Sequence, residues 1–328
     1  MKYIPNKMTY KEYEESYTVR HIADTVGFMF IFMLAVQIVW EFASLKLLML
    51  VGVSFTKIQE YTKDPAVLLA INVLVTAIMF TVPFIALCSR ERQRPTTLIH
   101  YGAPKKGTFL PLVALGSALC MVSNAASSII SQILEQFGIT GHNNLENLPQ
   151  GPLGLVLTII TMSLAPAFLE EFAFRGIVFG ITRRLGEGFA IFASAICFSI
   201  MHMNMGQIPF AFLAGLIIGF VYVKSESIWT AVTVHAINNL LSIILKALSR
   251  GLNTKLDQLL TLAVIAASAV ITLASFLAYT KNGGDFSLCA SDMELSNKKK
   301  AGQFLKSPAV IISIIATVLM MVAIGKLL

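Results

Sequence analysis

Long blocks of apolar residues, separated by short polar segments, make up most of this chain. The blocks lack the alternation of apolar and polar residues that is typical of barrel strands. In lipid, only helices and closed barrels satisfy their own backbone groups, and a spanning helix needs roughly 20 apolar residues. The pattern therefore predicts an all-α fold, a polytopic transmembrane helical bundle of about 8–9 spans.

Nine apolar blocks are candidate spans. The fifth and sixth are short enough to be tilted or half-spans, whereas the fourth is longer than the hydrocarbon core requires. A kink at Pro166 is expected in the fourth, because proline removes a backbone hydrogen bond and crowds the preceding turn. The candidate spans are Val26–Leu45, Pro65–Cys88, Thr108–Ile133, Pro152–Leu185, Phe189–Met203, Ile208–Val223, Ile228–Leu248, Leu259–Tyr279 and Pro308–Gly325.

The order of these blocks predicts three regions. Residues 1–150 form an N-terminal transmembrane region with three spans, and residues 151–248 form a core that carries the candidate chemistry. Residues 249–328 form a C-terminal transmembrane region with two spans and a cytoplasmic loop. That loop, Thr280–Ser307, contains three consecutive lysines and is expected to be solvated. Phe137–Gln150 is a polar loop without basic residues, as expected on the outer side.

Composition and charge agree with a membrane protein. The 328 residues are 56% hydrophobic and only 13% charged, against about 25% charged residues in soluble domains. With a cytoplasmic N-terminus, most of the 25 Lys and Arg residues lie in inner segments, as the positive-inside rule requires. The net charge of +7 therefore indicates the lipid bilayer as partner and no nucleic acid. The four cysteines form no CxxC pair and are interpreted as free thiols.

Two adjacent glutamates, Glu170 and Glu171, lie inside one of the most apolar blocks, and Arg175 follows one helical turn later. Charged groups in hydrocarbon are costly, so they face a protein interior or a water-filled cavity and mark a functional site. Because residues four apart share a helix face, Glu171 is the better partner for Arg175. Glu170 points about 100° away and is predicted to keep a free carboxylate.

Two further polar motifs follow in the apolar blocks. An FxxxH pattern ends at His202, and an HxxxN pattern places His235 and Asn239 on one helix face. Glu170 and His202 are equally far in sequence from Gly186, which lies between the fourth and fifth spans. In an antiparallel helix pair they therefore fall at one level. The sequence predicts a single intramembrane pocket that contains all four polar side chains.

This set of side chains suits hydrolysis of an amide bond without a Ser or Cys nucleophile. Glu170 beside a neutral His202 can activate a water molecule as general base. His235 and Asn239 can donate hydrogen bonds to a developing oxyanion. Alternatively, Glu170, His202 and His235 could hold a zinc ion that keeps an open coordination position.

The three motifs EExxxRG, FxxxH and HxxxN, in this order, resemble the CAAX-protease and bacteriocin-processing family (CPBP, Abi) of intramembrane proteases. The resemblance covers Pro152–Leu248. It implies that Glu170 activates water with His202 as its partner, and that His235 and Asn239 stabilise the oxyanion.

The resemblance also implies that Glu171 and Arg175 support the site. It does not decide whether the mechanism requires a metal, because both metalloprotease and metal-free, glutamate-dependent mechanisms are argued for the family. No cofactor is therefore certain, and Zn²⁺ is the candidate if the mechanism is metal-dependent. The chain has no HExxH zinc helix.

We therefore predict an integral membrane enzyme of the bacterial plasma membrane with a cytoplasmic N-terminus. It would be an intramembrane endopeptidase for a membrane-associated peptide or protein, of CAAX type or related to bacteriocin maturation and immunity. One alternative is a non-enzymatic membrane scaffold or immunity module that binds a membrane partner. Another is a transporter or proton relay, since intramembrane carboxylates also serve there.

Overall fold

A computed structural model describes residues 9–40, 49–50, 52, 54–57, 64–136 and 151–323. The described chain contains no β-strand, and its principal helices are numbered here α1 to α10. They are α1 (Tyr10–Ile38), α2 (Pro65–Arg90), α3 (Phe109–Gln136), α4 (Gly151–Leu185), α5 (Glu187–Met201), α6 (Ile208–Ser225), α7 (Ile228–Ser249), α8 (Thr254–Lys281), α9 (Asn297–Leu305) and α10 (Pro308–Ala323).

Seven helices in the described chain are long and apolar enough to cross a membrane: α1 to α4 and α6 to α8. Helices α9 and α10 make an eighth candidate span that is bent by 66° between them. Helix α5 is apolar but shorter. The prediction of an all-α polytopic bundle is confirmed.

The helix bounds follow the predicted blocks closely, with one clear difference at the beginning. Helix α1 begins at Tyr10, well before the predicted Val26. Thr9 and Glu12 form a capping box there, each side chain bonding the other's backbone N–H, which fixes the start of the helix. The predicted end of this span at Leu45 lies outside the described residues. Also outside them lie the predicted loop Phe137–Gln150 and the predicted end of the last span at Gly325.

Helix α4 is not a regular α-helix. Two wide π-helical segments interrupt it, at Ile160–Leu164 and Phe172–Val178. Pro166 lies two residues after the end of the first, where the widened turn makes room for a residue that lacks an N–H and crowds the turn before it. Helix α4 therefore continues through Pro166 as one span, and the predicted kink is a local widening. The second π segment begins directly after Glu171, and such segments are frequent at functional sites.

The central position in the bundle belongs to α4. Helices α2, α5 and α7 all pack against it, and α3 packs against α6, α7 and α8. Helix α1 packs against α2, α9 and α10, so the first and last parts of the chain lie side by side. The division into three regions remains a prediction, but the flanking regions are packed against each other as well as against the core.

The connections between α2 and α3, α4 and α5, α6 and α7, and α8 and α9 meet on one side of the bundle, which we call the basic face. The Lys105 N–H donates to Ser225 O at 3.0 Å, and the Glu187 N–H donates to Cys289 O at 3.0 Å. Gly186 makes the turn between α4 and α5 at this face with φ +107°, a conformation that favours glycine. Whether the basic face is cytoplasmic stays a prediction.

The segment that was expected to be a solvated loop, Thr280–Ser307, docks on the basic face and contains α9. Lys300 is only 3% exposed, and its Nζ donates to Leu185 O at 2.9 Å and to Ser291 Oγ at 2.5 Å. The prediction is therefore wrong for Lys300, because its ammonium group caps the end of α4 instead of facing water.

Candidate active site

A fully buried ion pair supports the site from within α4. Arg175 Nη1 donates to Glu171 Oε1 at 2.8 Å, and both side chains are completely buried. Arg175 Nη2 also donates to Gly215 O on α6 at 3.2 Å, and its guanidinium carbon lies 4.5 Å from the centre of the Phe198 ring on α5. The predicted Glu171–Arg175 pair is thus present, and the arginine joins three helices.

The same carboxylate also holds His235, a contact that sequence reasoning did not predict. His235 Nδ1 donates to Glu171 Oε1 at 2.8 Å, which directs the other ring nitrogen, Nε2, toward Glu170. Glu170 Oε2 lies 3.9 Å from that nitrogen. Glu170 Oε2 is buried and accepts no hydrogen bond within the described structure. Glu170 therefore presents a free carboxylate oxygen beside an oriented imidazole.

His202 stands at the C-terminal end of α5, directly after Met201. Its Nδ1 donates to Phe198 O at 2.8 Å, because a carbonyl oxygen can only accept. When the ring is neutral, Nε2 is consequently the nitrogen with a free lone pair. The Phe198 ring lies between the two histidines, with ring centres 4.9 Å from His202 and 5.7 Å from His235. The structure thus places His202 and His235 against one aromatic ring, with Glu170 next to His235.

The backbone directly after His202 is strained. Met203 has φ +46°, in the left-handed region that non-glycine residues seldom adopt, and its side chain is buried. The side chain belongs to a small apolar cluster with Leu34 of α1 and Met320 of α10. Strain of this kind collects at functional sites, where the surrounding packing maintains it. Sequence reasoning missed Met203, since nothing in the residue type signals a left-handed turn.

Two adjacent amides lie on α7. Asn238 is 2% exposed, and its Nδ2 donates to Asn239 Oδ1 at 3.3 Å, while its own Oδ1 is buried without a hydrogen-bond partner. The bond occupies the oxygen of the Asn239 amide and leaves its NH₂ group available as donor. Asn239 itself is partly buried.

The candidate zinc ligands fit a metal in chemistry but not in placement. His202 and His235 each use Nδ1 in a hydrogen bond and leave Nε2 free, an arrangement that is common for metal-bound histidines. Among the residues that the structure describes, however, no three His, Cys, Asp or Glu side chains converge closely enough to hold a metal ion. The placement of Glu170, His202 and His235 does not fit a zinc site, so we derive no step through a metal.

Comparisons with known proteins match the part of the chain that contains this site. Residues 152–241, which run from α4 into α7, match the model of the Type II CAAX prenyl endopeptidase Rce1-like family. The chain is 28% identical over 164 residues to the membrane-embedded CAAX protease MroQ of Staphylococcus aureus (strain USA300), and this match covers 47% of the chain and 65% of MroQ.

A second relative is the putative membrane peptidase YdiL of Bacillus subtilis (strain 168), with 29% identity over 91 residues that cover 27% of the chain and 37% of YdiL. The chain thus matches less than two thirds of the length of either relative. No solved structure matches it significantly. The matched residues 152–241 contain all three sequence motifs, and through this segment the chain is similar to membrane-embedded CAAX proteases.

Proposed function

We propose that this protein is an intramembrane endopeptidase that hydrolyses a peptide bond of a membrane-associated peptide or protein with a water molecule activated by Glu170. The observation that carries the proposal is the unpartnered, buried Oε2 of Glu170, which lies 3.9 Å from His235 Nε2. A carboxylate oxygen without a partner in an apolar interior is costly, so the site is prepared for a polar occupant.

A water molecule between these two atoms would be the nucleophile. As its oxygen bonds to the peptide carbonyl carbon, Glu170 takes the released proton and the carbonyl electrons move to oxygen. When the C–N bond breaks, Glu170 returns the proton to the leaving amine nitrogen. The free Nε2 of His202 accepts a hydrogen bond from the same water and helps to orient it.

Stabilisation of the oxyanion falls to His235 and Asn239. Glu171 accepts from His235 Nδ1 and orients the ring, so that in its protonated form Nε2–H is a donor that faces the reaction. The Asn239 NH₂ group is a second donor, because its amide oxygen is engaged by Asn238. Two donors directed at a developing negative charge are the usual means of lowering the barrier to acyl transfer.

The charge balance of the buried cluster supports this division of roles. Glu170, Glu171 and Arg175 together carry one excess negative charge when all are ionised. Excess negative charge in an apolar interior is costly, so the site favours an occupant that donates hydrogen bonds to the carboxylate, such as a water molecule.

The substrate class follows from the position of the site and from the relatives. Glu170 and His235 lie deep among α4, α5 and α7, so the scissile bond must enter an apolar, membrane-embedded interior. The named relatives are a CAAX protease and a putative membrane peptidase. We propose a CAAX-type or a bacteriocin- or immunity-related peptide as substrate, in a bacterial plasma membrane.

The experiment compares the proteomes of membranes that contain the wild-type protein, Glu170→Gln or Glu135→Gln. Glu135 is exposed near the end of α3 and serves as the matched control for loss of one carboxylate. We expect full-length membrane proteins or peptides to accumulate with Glu170→Gln only. If Glu170→Gln leaves both the peptide pattern and the cellular phenotype unchanged, the enzyme proposal fails and the scaffold or immunity module replaces it.

A further inference from the structure

An apolar cavity lies on the side of α5 that faces away from the candidate active site. It encloses about 120 Å³ between α1, α5, α9 and α10. Val26 of α1, Ala193 and Cys197 of α5, Phe304 of α9 and Val310 of α10 are among its lining residues. The wall is almost wholly apolar. Since apolar cavities of roughly this size stay dry, hydrocarbon is the occupant that the walls favour.

The mouth of the cavity opens to the side, toward the lipid. Of its lining residues, Phe192 is 50% exposed, Leu305 is 58% exposed and Ile314 is 39% exposed. These three lie on α5, at the end of α9 and on α10, so the opening lies where an acyl chain from the surrounding bilayer can enter. Phe198 of α5, which contacts His202 in the candidate active site, is not among the residues that line the cavity.

Basic side chains flank the end of the cavity that is nearest to the basic face. Lys306 directly follows the lining residue Leu305, is exposed, and makes no ion pair in the part of the chain that the structure describes. Arg20 Nε donates to Gln303 Oε1 at 2.7 Å, which fixes its exposed guanidinium beside the turn of α9 that lines the cavity. The neighbouring carboxylate of Asp24 is engaged by Ser307 Oγ at 2.5 Å.

We propose that this cavity binds one acyl chain of an anionic phospholipid, whose headgroup phosphate is held by Arg20 and Lys306. The apolar walls select the chain, and the two cations select the negative charge of the headgroup. Helix α9 suits this role because it bends by 66° away from α10 and carries basic residues together with the apolar residues that line the cavity. Each cation near an anionic headgroup contributes roughly a fivefold preference.

The test measures bound lipid on the purified full-length protein by native mass spectrometry, after exchange into equal amounts of phosphatidylglycerol and phosphatidylcholine. We expect the wild type to retain phosphatidylglycerol preferentially. Arg20→Gln combined with Lys306→Gln should lower this preference by about 25-fold. Lys281→Gln combined with Lys224→Gln, which removes two cations from the same face at α8 and α6, should leave it unchanged.

A second variant tests binding of the lipid acyl chain rather than of the headgroup. Ala193→Phe fills the cavity with a large side chain and should lower retention of both lipids, with the bundle still folded by circular dichroism. The proposal is overturned if Ala193→Phe retains lipid like the wild type. It is equally overturned if the wild type binds the two lipids alike, or if the Arg20 and Lys306 changes leave selectivity unaltered. None of these readouts depends on proteolytic activity.

Discussion

His235 Nδ1 lies 2.8 Å from Glu171 Oε1, and this contact joins two helices across the site. The carboxylate that accepts this bond also accepts from Arg175, so Glu171 holds the imidazole and the guanidinium at once. Its neighbour Glu170 is left with a buried, unpartnered oxygen. Adjacent glutamates of one helix thus differ: Glu171 Oε1 accepts two hydrogen bonds, whereas Glu170 Oε2 accepts none, and the second oxygen of Glu171, Oε2, is likewise buried without a partner.

This contrast predicts opposite effects of the same substitution at the two positions. Glu170→Gln should lower kcat by about 10²–10⁴-fold. It should leave thermal stability unchanged or raised, because it removes a buried charge that has no hydrogen-bond partner at Oε2. Cleavage kinetics and the thermal unfolding midpoint of the purified protein measure the two quantities.

Glu171→Gln should instead destabilise the fold. It leaves the fully buried Arg175 without its counter-charge, and breaking a buried pair by removal of one partner costs about 3–5 kcal/mol. It also releases His235, so kcat should fall further than the loss of folded protein explains. A Glu171→Gln protein as stable as Glu170→Gln would contradict the assignment of the two roles.

Arg175→Lys tests whether the geometry of the guanidinium matters beyond its charge. Arg175 bonds Glu171 and Gly215 O and lies over the Phe198 ring, and a lysine ammonium group cannot make all three contacts. The unfolding midpoint should fall by several degrees, since one lost buried hydrogen bond costs about 1–3 kcal/mol. Arg184→Lys is the matched control on the same helix. Arg184 is half-exposed, and its ion pair with Glu91 is long, at 3.9 Å. If both substitutions have equally small effects, the buried network is not what holds the three helices together.

The membrane bundle and the Glu171–Arg175 pair were predictable from the sequence, because both depend on local rules. Apolar blocks of spanning length specify helices in lipid, and residues four apart on a helix meet whatever the rest of the fold does. The bond between Glu171 and His235 depends on how closely α4 and α7 approach, which no local spacing specifies. The burial of Lys300 was unpredictable for the same reason. A run of three lysines predicts a solvated segment, and only the tertiary contact with Leu185 O at the end of α4 buries Lys300.

Met203 provides a test of whether the flanking helices position the turn that carries His202. Met203→Val places a β-branched residue at φ +46°, which costs about 1–2 kcal/mol and favours a different backbone after His202. We expect kcat to fall with little change in KM, because the substitution moves His202 and leaves the helices around the candidate active site in place.

The matched control is Met205→Val, in the same loop but without a positive φ. It should retain kcat, and Met203→Leu should retain most of it, since leucine keeps an apolar side chain for the cluster with Leu34 and Met320. Normal kcat in Met203→Val would show that the strained turn does not position His202.

The final prediction concerns metal dependence. Because no three ligand side chains converge in the described chain, we expect cleavage to persist in phenanthroline and EDTA, and the purified protein to hold less than stoichiometric zinc by elemental analysis. His235→Ala should abolish cleavage without changing the metal content, since its loss removes an oxyanion donor and not a ligand. Addition of Zn²⁺ after chelation controls for inhibition by the chelator itself. One zinc ion per chain that is lost in both His202→Ala and His235→Ala, with activity restored by Zn²⁺ alone, would contradict the metal-free mechanism. In that case the three side chains must approach one another more closely on metal binding than the 3.9 Å contact between Glu170 and His235 brings them.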